Sequence, residues 1–333
     1  MVTKTARRKT SGLRFAVFGL ALLGFICNGA CTGAGNGAPG PAAGDNSTPG
    51  QPLRHPHRII SLTLGTDEIL CALVEPERIA ALSYLAADPE NSNVASTAKK
   101  LGSIPTGNIE RIVHLQPDLI LAAHYTEIGR RGLLERTGAP VVLISAFRSF
   151  HDIEANIMTI GRAVGEPERA QSLIGEMRAK LQSETEKPDR TASARKKSVL
   201  YLAHPNWTAG SGTTLHEVIS YAGFRNAAAE HGFAGHGKIS IEKILSINPD
   251  AILIGTGYNR DEGFRDRLLG DPLFAPLDAV RRRRIVALPS RQLTAVSHHL
   301  ADCVTALRDV MAEISIAKTV PAPHKSNPGR TRK

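Results

Sequence analysis

Cysteine is nearly absent from the body of this chain: of its four cysteines, Cys27 and Cys31 fall near the amino terminus, leaving only Cys71 and Cys303. No Cys-x-x-Cys spacing occurs, which excludes the common zinc and thiol-redox motifs. Cys71 and Cys303 lie in apolar, helix-like stretches, where buried thiol packing is the plain expectation and a disulfide between them is an open alternative. There is no Gly-x-Ser-x-Gly elbow and no Gly-Lys-Ser/Thr loop, so the hydrolase and nucleotide-binding signatures are missing and no enzyme is expected. Gly210-Ser211-Gly212 reads instead as a turn into a helix that begins near Thr213. Aromatic residues are few, 5% of the chain with a single Trp, so rings placed directly after strands stand out.

Acidic residues are missing from the first 44 positions, and the formal charge of +10 gathers at the ends. Lys4, Arg7, Arg8, Lys9 and Arg14 precede Asp45, and Lys325, Arg330, Arg332 and Lys333 crowd the carboxyl terminus. The body is close to neutral, which excludes the broad basic face that nucleic-acid binding requires. The basic start, an apolar run at 15–27 and the small residues after it read as an export signal, too short to span a bilayer comfortably. Cys31 follows Asn28-Gly29-Ala30 as in a lipoprotein cleavage site, so a lipid anchor at Cys31 is the one membrane attachment to expect. Residues 32–56, rich in Gly, Ala, Pro and Ser, read as a disordered tether.

From Arg58 onward, short apolar runs alternate with amphipathic stretches: 59–63, 79–83, 119–123 and 140–145, then 198–203, 251–255 and 285–288. Continuous apolar strands separated by helices imply parallel sheets covered on both faces, hence an α/β chain of two lobes, each with its own core. Between the two series, Ala170, Leu173, Ile174, Met177 and Leu181 recur at helical spacing behind Pro167. A helix of that length reaches about 30 Å and makes a stiff connector. The expected organisation is a signal at 1–31, tether at 32–56, first lobe at 57–166, connecting helix at 167–188, second lobe at 189–318 and a basic disordered tail at 319–333. The RRRR run at 281–284 reads as a solvated turn before a strand.

An internal echo is the most informative feature. IERIVHLQPDLIL at 109–121 matches IEKILSINPDAIL at 241–253, each a short helix, a Pro-Asp turn and a buried strand. A looser echo relates GTDEILCAL at 65–73 to GTTLHEVIS at 212–220, so the lobes read as duplicates. The echo places Glu110 and Glu242 at equivalent points. Each is explained by the helix macrodipole alone; as a pair they also suit basic residues on a two-subunit membrane partner.

At these residues the chain resembles the helical-backbone (class III) periplasmic binding proteins of iron-siderophore, haem and cobalamin ABC importers. The resemblance runs from about Arg58 to Ile316 and is carried by RIISLTLGTDEILCAL, LGSIPTGNIERIVHLQPDLILAA, GTTLHEVISYAGFRN and ISIEKILSINPDAILIG in this order. It implies a monomer that captures a large metal-complex ligand, cobalamin or a ferric siderophore, between its lobes. It also implies that Glu110 and Glu242 dock onto arginines of an ABC permease dimer coupled to its ATPase. The ligand-contact candidates are Thr63 and Leu64 after the first strand, Tyr84 after the second, His124 and Tyr125 after the third, Trp207 and Thr208 in the second lobe, and Tyr258. Where cobalamin receptors carry a tryptophan, and haem receptors often a tyrosine, this chain has Ile104, Pro105 and Thr106. A haem or free zinc or manganese receptor, or a chelatase on the same architecture, are the alternatives. His231, His236, His298 and His299 are solvated or capping residues in the plainer reading and metal or axial ligands in the other. No resident cofactor and no metal site are expected.

Overall fold

The computed structural model describes residues 55–104, 108–124, 134, 137–186, 196–203, 206–257 and 263–316. The signal, most of the tether, the basic tail, Tyr125 and Tyr258 lie outside the described residues. The apolar runs form strands β1 (Ile59–Ser61), β2 (Ile79–Ser83), β3 (Ser103–Ile104), β4 (Leu119–Ala123) and β5 (Val141–Ile144) in the first lobe. The second has β6 (Ser198–Tyr201), β7 (Trp207–Ala209), β8 (Arg225–Asn226), β9 (His236–Lys238), β10 (Ala251–Thr256) and β11 (Ile285–Pro289). The helices are α1 (Leu64–Leu73), α2 (Ala95–Leu101), α3 (Ile109–His114), α4 (Phe150–Val164), α5 (Pro167–Glu186), α6 (Thr214–Tyr221), α7 (Ala227–Glu230), α8 (Ile241–Ile247), α9 (Phe264–Gly270), α10 (Asp278–Arg281), α11 (Ser290–Leu293) and α12 (Leu300–Ile316).

Both main sheets are parallel, in the order β3-β2-β1-β4-β5 and β11-β10-β6-β8, and β7 pairs antiparallel with β9. β-Branched and leucine side chains fill β1, β4 and β10, which are buried along nearly their whole length, as strands covered on both faces must be. The duplication survives in the register: β1 on β4 pairs Ile60 with Ile120, and β6 on β10 pairs Leu200 with Ile252.

The echo is reproduced hydrogen bond by hydrogen bond. Asn108 caps α3 by accepting the Arg111 N–H at 2.9 Å, and Ser240 caps α8 by accepting the Lys243 N–H at 3.2 Å. Gln116 and Asn248 then turn left-handed, at φ 45° and 41°. Asp118 accepts the backbone N–H groups of His57 and Arg58 beside β1, while Asp250 accepts the N–H and hydroxyl of Ser198 at the start of β6. Each Pro-Asp turn therefore ties its helix to the first strand of its own sheet. The looser echo fails in register. Thr213 caps α6 by accepting the His216 N–H, whereas its sequence mate Thr66 sits inside α1, whose first flanking residue, Thr63, makes no side-chain cap bond. The shared Gly-Thr letters thus mark different places in the two helices.

The connector is one helix, α5, of 20 residues. Ala170, Ile174, Met177, Leu181 and Glu184 are its buried face, at the alternating four- and three-residue spacing of a seam. Helix α4 ends in a Schellman turn with Gly165 at φ 79° and the Glu166 N–H on the Gly161 carbonyl at 2.7 Å; Pro167 then starts α5. On α5, Arg178 pairs with Glu154 of α4 through two contacts of 2.7 Å, while Lys180 meets Asp302 and Glu184 meets Thr305, both of α12.

One expectation needs correction. The lobes do not simply bury separate cores: the largest apolar cluster runs from Ile59, Leu70 and Leu121 through Ile174 and Met177 of the connector to Val199, Leu253, Leu300 and Leu307. A second cluster about Ile244, Ile252 and Phe274 lies within the second lobe, and a third about Ile60, Ile112 and Ile120 within the first. The connector presents apolar side chains to both lobes, so their inner faces fuse around it. The described residues, 55–316, accordingly fall within one compact unit. Cys71 and Cys303 are free thiols, and burial pushes both up to about 12.

Candidate functional site

The segments that follow strands in the two sheets meet one another. The Arg291 N–H, just after β11, donates to the Glu90 carbonyl, beyond β2, at 3.0 Å. The Asn93 amide donates to the Arg291 carbonyl at 2.9 Å. Gly257, after β10, lies so close to Glu90 that a Cβ there would stand 3.0 Å from the Glu90 Cβ. The carboxyl edges of the sheets thus face each other, the arrangement in which open α/β sheets take ligands.

Around this edge the expected contact residues divide. Tyr84 is half exposed in the turn after β2, and His124 is exposed at the end of β4. Trp207 is partly exposed on β7, opposite Lys238 of β9. Leu64 opens α1 and is half-buried. Among the described residues, no hydrogen bond or ring contact joins Tyr84, His124 and Trp207 to one another; they stand on three separate elements. Thr63 and Thr208 present no open side chain. The Thr63 hydroxyl is bonded to that of Thr66 at 2.8 Å, and Thr208 is 1% exposed with its hydroxyl donated to the Tyr201 carbonyl at 2.7 Å. Alternation along β7 turns Thr208 inward where Trp207 turns out.

Glu110 and Glu242 are both exposed in the first turns of α3 and α8, each followed by an exposed Arg or Lys and a buried Ile. The Glu242 carboxylate is held below the usual range by its own backbone N–H and by the Ser240 hydroxyl. Val113, one turn beyond Glu110, is 45% exposed, whereas its counterpart Leu245 packs against its lobe's core.

Polar groups that sequence reasoning passed over cluster at the lobe junction. Asp67 and Glu68 are fully buried in α1. Asp67 accepts from the N–H and hydroxyl of Ser83, and burial raises its carboxyl to about 7. Glu68 accepts from the Asn93 N–H and amide at 3.1 and 2.9 Å and from the Ser297 hydroxyl of the other lobe at 2.5 Å; burial raises it too. The signal was there to read: adjacent acids inside the apolar run LGTDEILCAL have no solvent face to share. His298 stacks on His299 with ring centroids 4.1 Å apart, and burial lowers it to about 4. His299 meets Asp302 at 3.0 Å, and His231 bonds the Ala227 carbonyl at 2.9 Å beside α7. His236, on β9, is partly buried and lowered by that burial. Among the described residues, no group of three or more His, Cys, Asp or Glu side chains is placed to hold a metal ion, and no helix is long and apolar enough to cross a membrane.

Comparison with known proteins places this geometry. The family model "Periplasmic binding protein" matches residues 59–292. The ABC transporter substrate-binding lipoprotein YvrC of Bacillus subtilis (strain 168) is 27% identical over 211 residues, 61% of this chain and 65% of that protein. A cobalamin-binding protein of Halobacterium salinarum (strain ATCC 29341 / DSM 671 / R1) is 26% identical over 231 residues, 68% of this chain and 60% of that protein. The match thus spans less than two thirds of either curated relative. Among solved structures, the periplasmic haem-binding protein RhuT from Roseiflexus sp. RS-1 superposes with a TM-score of 0.68 at 24% identity, over 78% of this chain and 99% of that one, which shows a shared fold. With two parallel sheets bridged by a single long helix and a family match over most of its length, the chain belongs to the periplasmic binding protein family.

Proposed function

We propose that this chain is the solute receptor of an ABC importer, taking a large metal-complex ligand, cobalamin or a ferric siderophore, at the facing sheet edges and presenting it to a permease dimer. The observation that carries the reading is the duplicated helix start. Glu110 and Glu242 occupy the same position after the same cap on the same helix–turn–strand unit, one per lobe. A partner built from two like subunits offers two like basic sites, and a receptor with one carboxylate per lobe matches it. Tyr84, His124, Trp207 and Leu64 are the proposed ligand contacts among the described residues, with Tyr125 and Tyr258 added from the sequence. Aromatic and amphipathic side chains suit a broad, partly apolar ligand. The cobalamin-binding relative supports this class of ligand. The lipoprotein relative supports acylation at Cys31, which would leave a monomeric body tethered outside the inner membrane.

The test is charge reversal. Glu110→Lys combined with Glu242→Lys is expected to abolish uptake in cells while ligand affinity measured by calorimetry stays within about twofold of wild type. Undiminished uptake by the double variant refutes the docking role. Absorbance and native mass spectrometry of the purified wild-type chain name the ligand through its corrinoid or ferric chromophore, and the same mass shows whether Cys31 is acylated.

A further inference from the structure

Among the described residues, the lobes meet at the Glu90–Arg291 bond and around the connector, and two further contacts between them each use a glutamate side chain. Glu68 projects from α1, the first helix of the first lobe, to the entry of α12, the last helix of the second. There the Ser297 hydroxyl donates to its carboxylate at 2.5 Å while accepting the His299 N–H at 3.3 Å. Glu217 projects from α6, the helix that follows the second lobe's β7, to the start of α4, the helix that follows β5 in the first lobe. It accepts the Phe150 N–H at 2.5 Å, a donor that no turn of α4 can satisfy. The Ser149 hydroxyl takes the Asp152 N–H, so Ser149 and Glu217 divide the orphan donors of α4 between the lobes. Each lobe thus sends a carboxylate across the junction to the positive end of a long helix in the other.

Apolar contacts back both joints. Phe150 and Tyr221 meet edge to face at 5.1 Å beside Glu217. Gly65 lies so close to Val296 beside Glu68 that a Cβ there would stand 2.5 Å from the Val296 methyl. Asn93 extends the first joint, donating to Glu68 and to the Arg291 carbonyl at 2.9 Å each.

We propose that Glu68 and Glu217 form a reciprocal pair of clasps that fixes the separation of the lobes, making them positioning residues for the ligand cleft. The connector and the shared apolar core hold the lobes together but are not directional. Two hydrogen-bonded joints at different points on the junction oppose twist about the connector axis, so the cleft holds one width before ligand arrives. The consequence for capture rests on the receptor reading; the clasp itself does not.

The test reads lobe separation without ligand, so its failure is distinct from a failed uptake assay. Spin labels are placed at Lys99→Cys on α2 and Arg265→Cys on α9, both exposed positions, in the full chain carrying Cys27→Ser and Cys31→Ser. The same chain carries Cys71→Ala, since that thiol is only half-buried, while the buried, protonated thiol of Cys303 does not compete for label. Pulsed dipolar spectroscopy is expected to give one narrow distance distribution, to broaden roughly twofold or more with Glu68→Ala plus Glu217→Ala, and to narrow again with Glu217→Gln in place of Glu217→Ala, since the amide oxygen still accepts the Phe150 N–H. A width unchanged in the folded double-alanine variant overturns the proposal, as does a failure of Glu217→Gln to restore it. If the double variant does not fold, Ser297→Ala decides the matter: it removes one hydroxyl from the Glu68 clasp, and an unbroadened distribution there overturns the proposal equally.

Discussion

At the scale of single residues, the buried acids of α1 set the pH response. The Asp67 carboxyl, raised to about 7 by burial, binds its proton more tightly in the folded chain than in the unfolded one, where it titrates near 3.8. Its contribution is therefore most favourable below the unfolded value and is lost as pH rises towards 7, with a slope of at most about 1.4 kcal/mol per pH unit. His298, held neutral down to about 4, acts in the opposite sense as pH falls below the ordinary histidine range. The two effects separate by difference. Asp67→Asn keeps the acceptor for the Ser83 N–H and supplies a donor to the Ser83 hydroxyl, so it is expected to be more stable than wild type at pH 8 by about 1–3 kcal/mol and to approach it near pH 5. Urea midpoints of both chains across that range check it; a constant offset contradicts the assignment. The same residue scale shows why Asp67 and Glu68 escaped the sequence reading while Glu110 and Glu242 did not. The second pair repeats in register, but partners such as Ser83, Asn93 and Ser297 lie 16, 25 and 229 positions away.

At the scale of elements, the turn from α4 into α5 is tightly fitted. A Cβ on Gly161 would stand 2.4 Å from the Ala170 Cβ and 3.2 Å from the Glu166 carbonyl, because the Schellman turn folds α5 directly against α4. Gly161→Val is expected to cost about 2 kcal/mol, read as a lowered denaturant midpoint, through overpacking rather than backbone strain. Gly175, in the middle of α5, has open space around its missing Cβ. Gly175→Ala is then the matched control, neutral or slightly stabilising by helix propensity. Elements were the best-read level of the sequence. Helix spacing along Ala170, Ile174, Met177 and Leu181 gave α5 nearly to its ends, and the continuous apolar runs gave the parallel strands. The short antiparallel pair of β7 and β9 was not legible. Three-residue strands carry too little periodicity, and their register, Trp207 to Lys238 through Ala209 to His236, joins segments that no local pattern links.

At the scale of the whole molecule, the shared core changes what the lobes are. Two lobes burying separate cores would unfold as two units, whereas a cluster running from Ile59 through Met177 to Leu307 couples them. Calorimetry of the full chain is expected to show one transition with calorimetric and van't Hoff enthalpies in agreement; two resolved transitions would mean that the connector and clasps do not join the lobes energetically. A stiff, pre-formed body also suits the proposed docking of Glu110 and Glu242, which would need a fixed spacing.

The sequence by itself determined the α/β class, the connector, the duplication and the equivalence of Glu110 and Glu242, because each is written in local periodicity or in a repeat of adjacent letters. Tertiary structure alone decided that Thr208 turns inward, that the lobes share one core, and that Glu68 and Glu217 reach across to helices far along the chain. Those outcomes depend on which side chains meet at the junction, and burial between distant segments leaves no periodic trace in either of them.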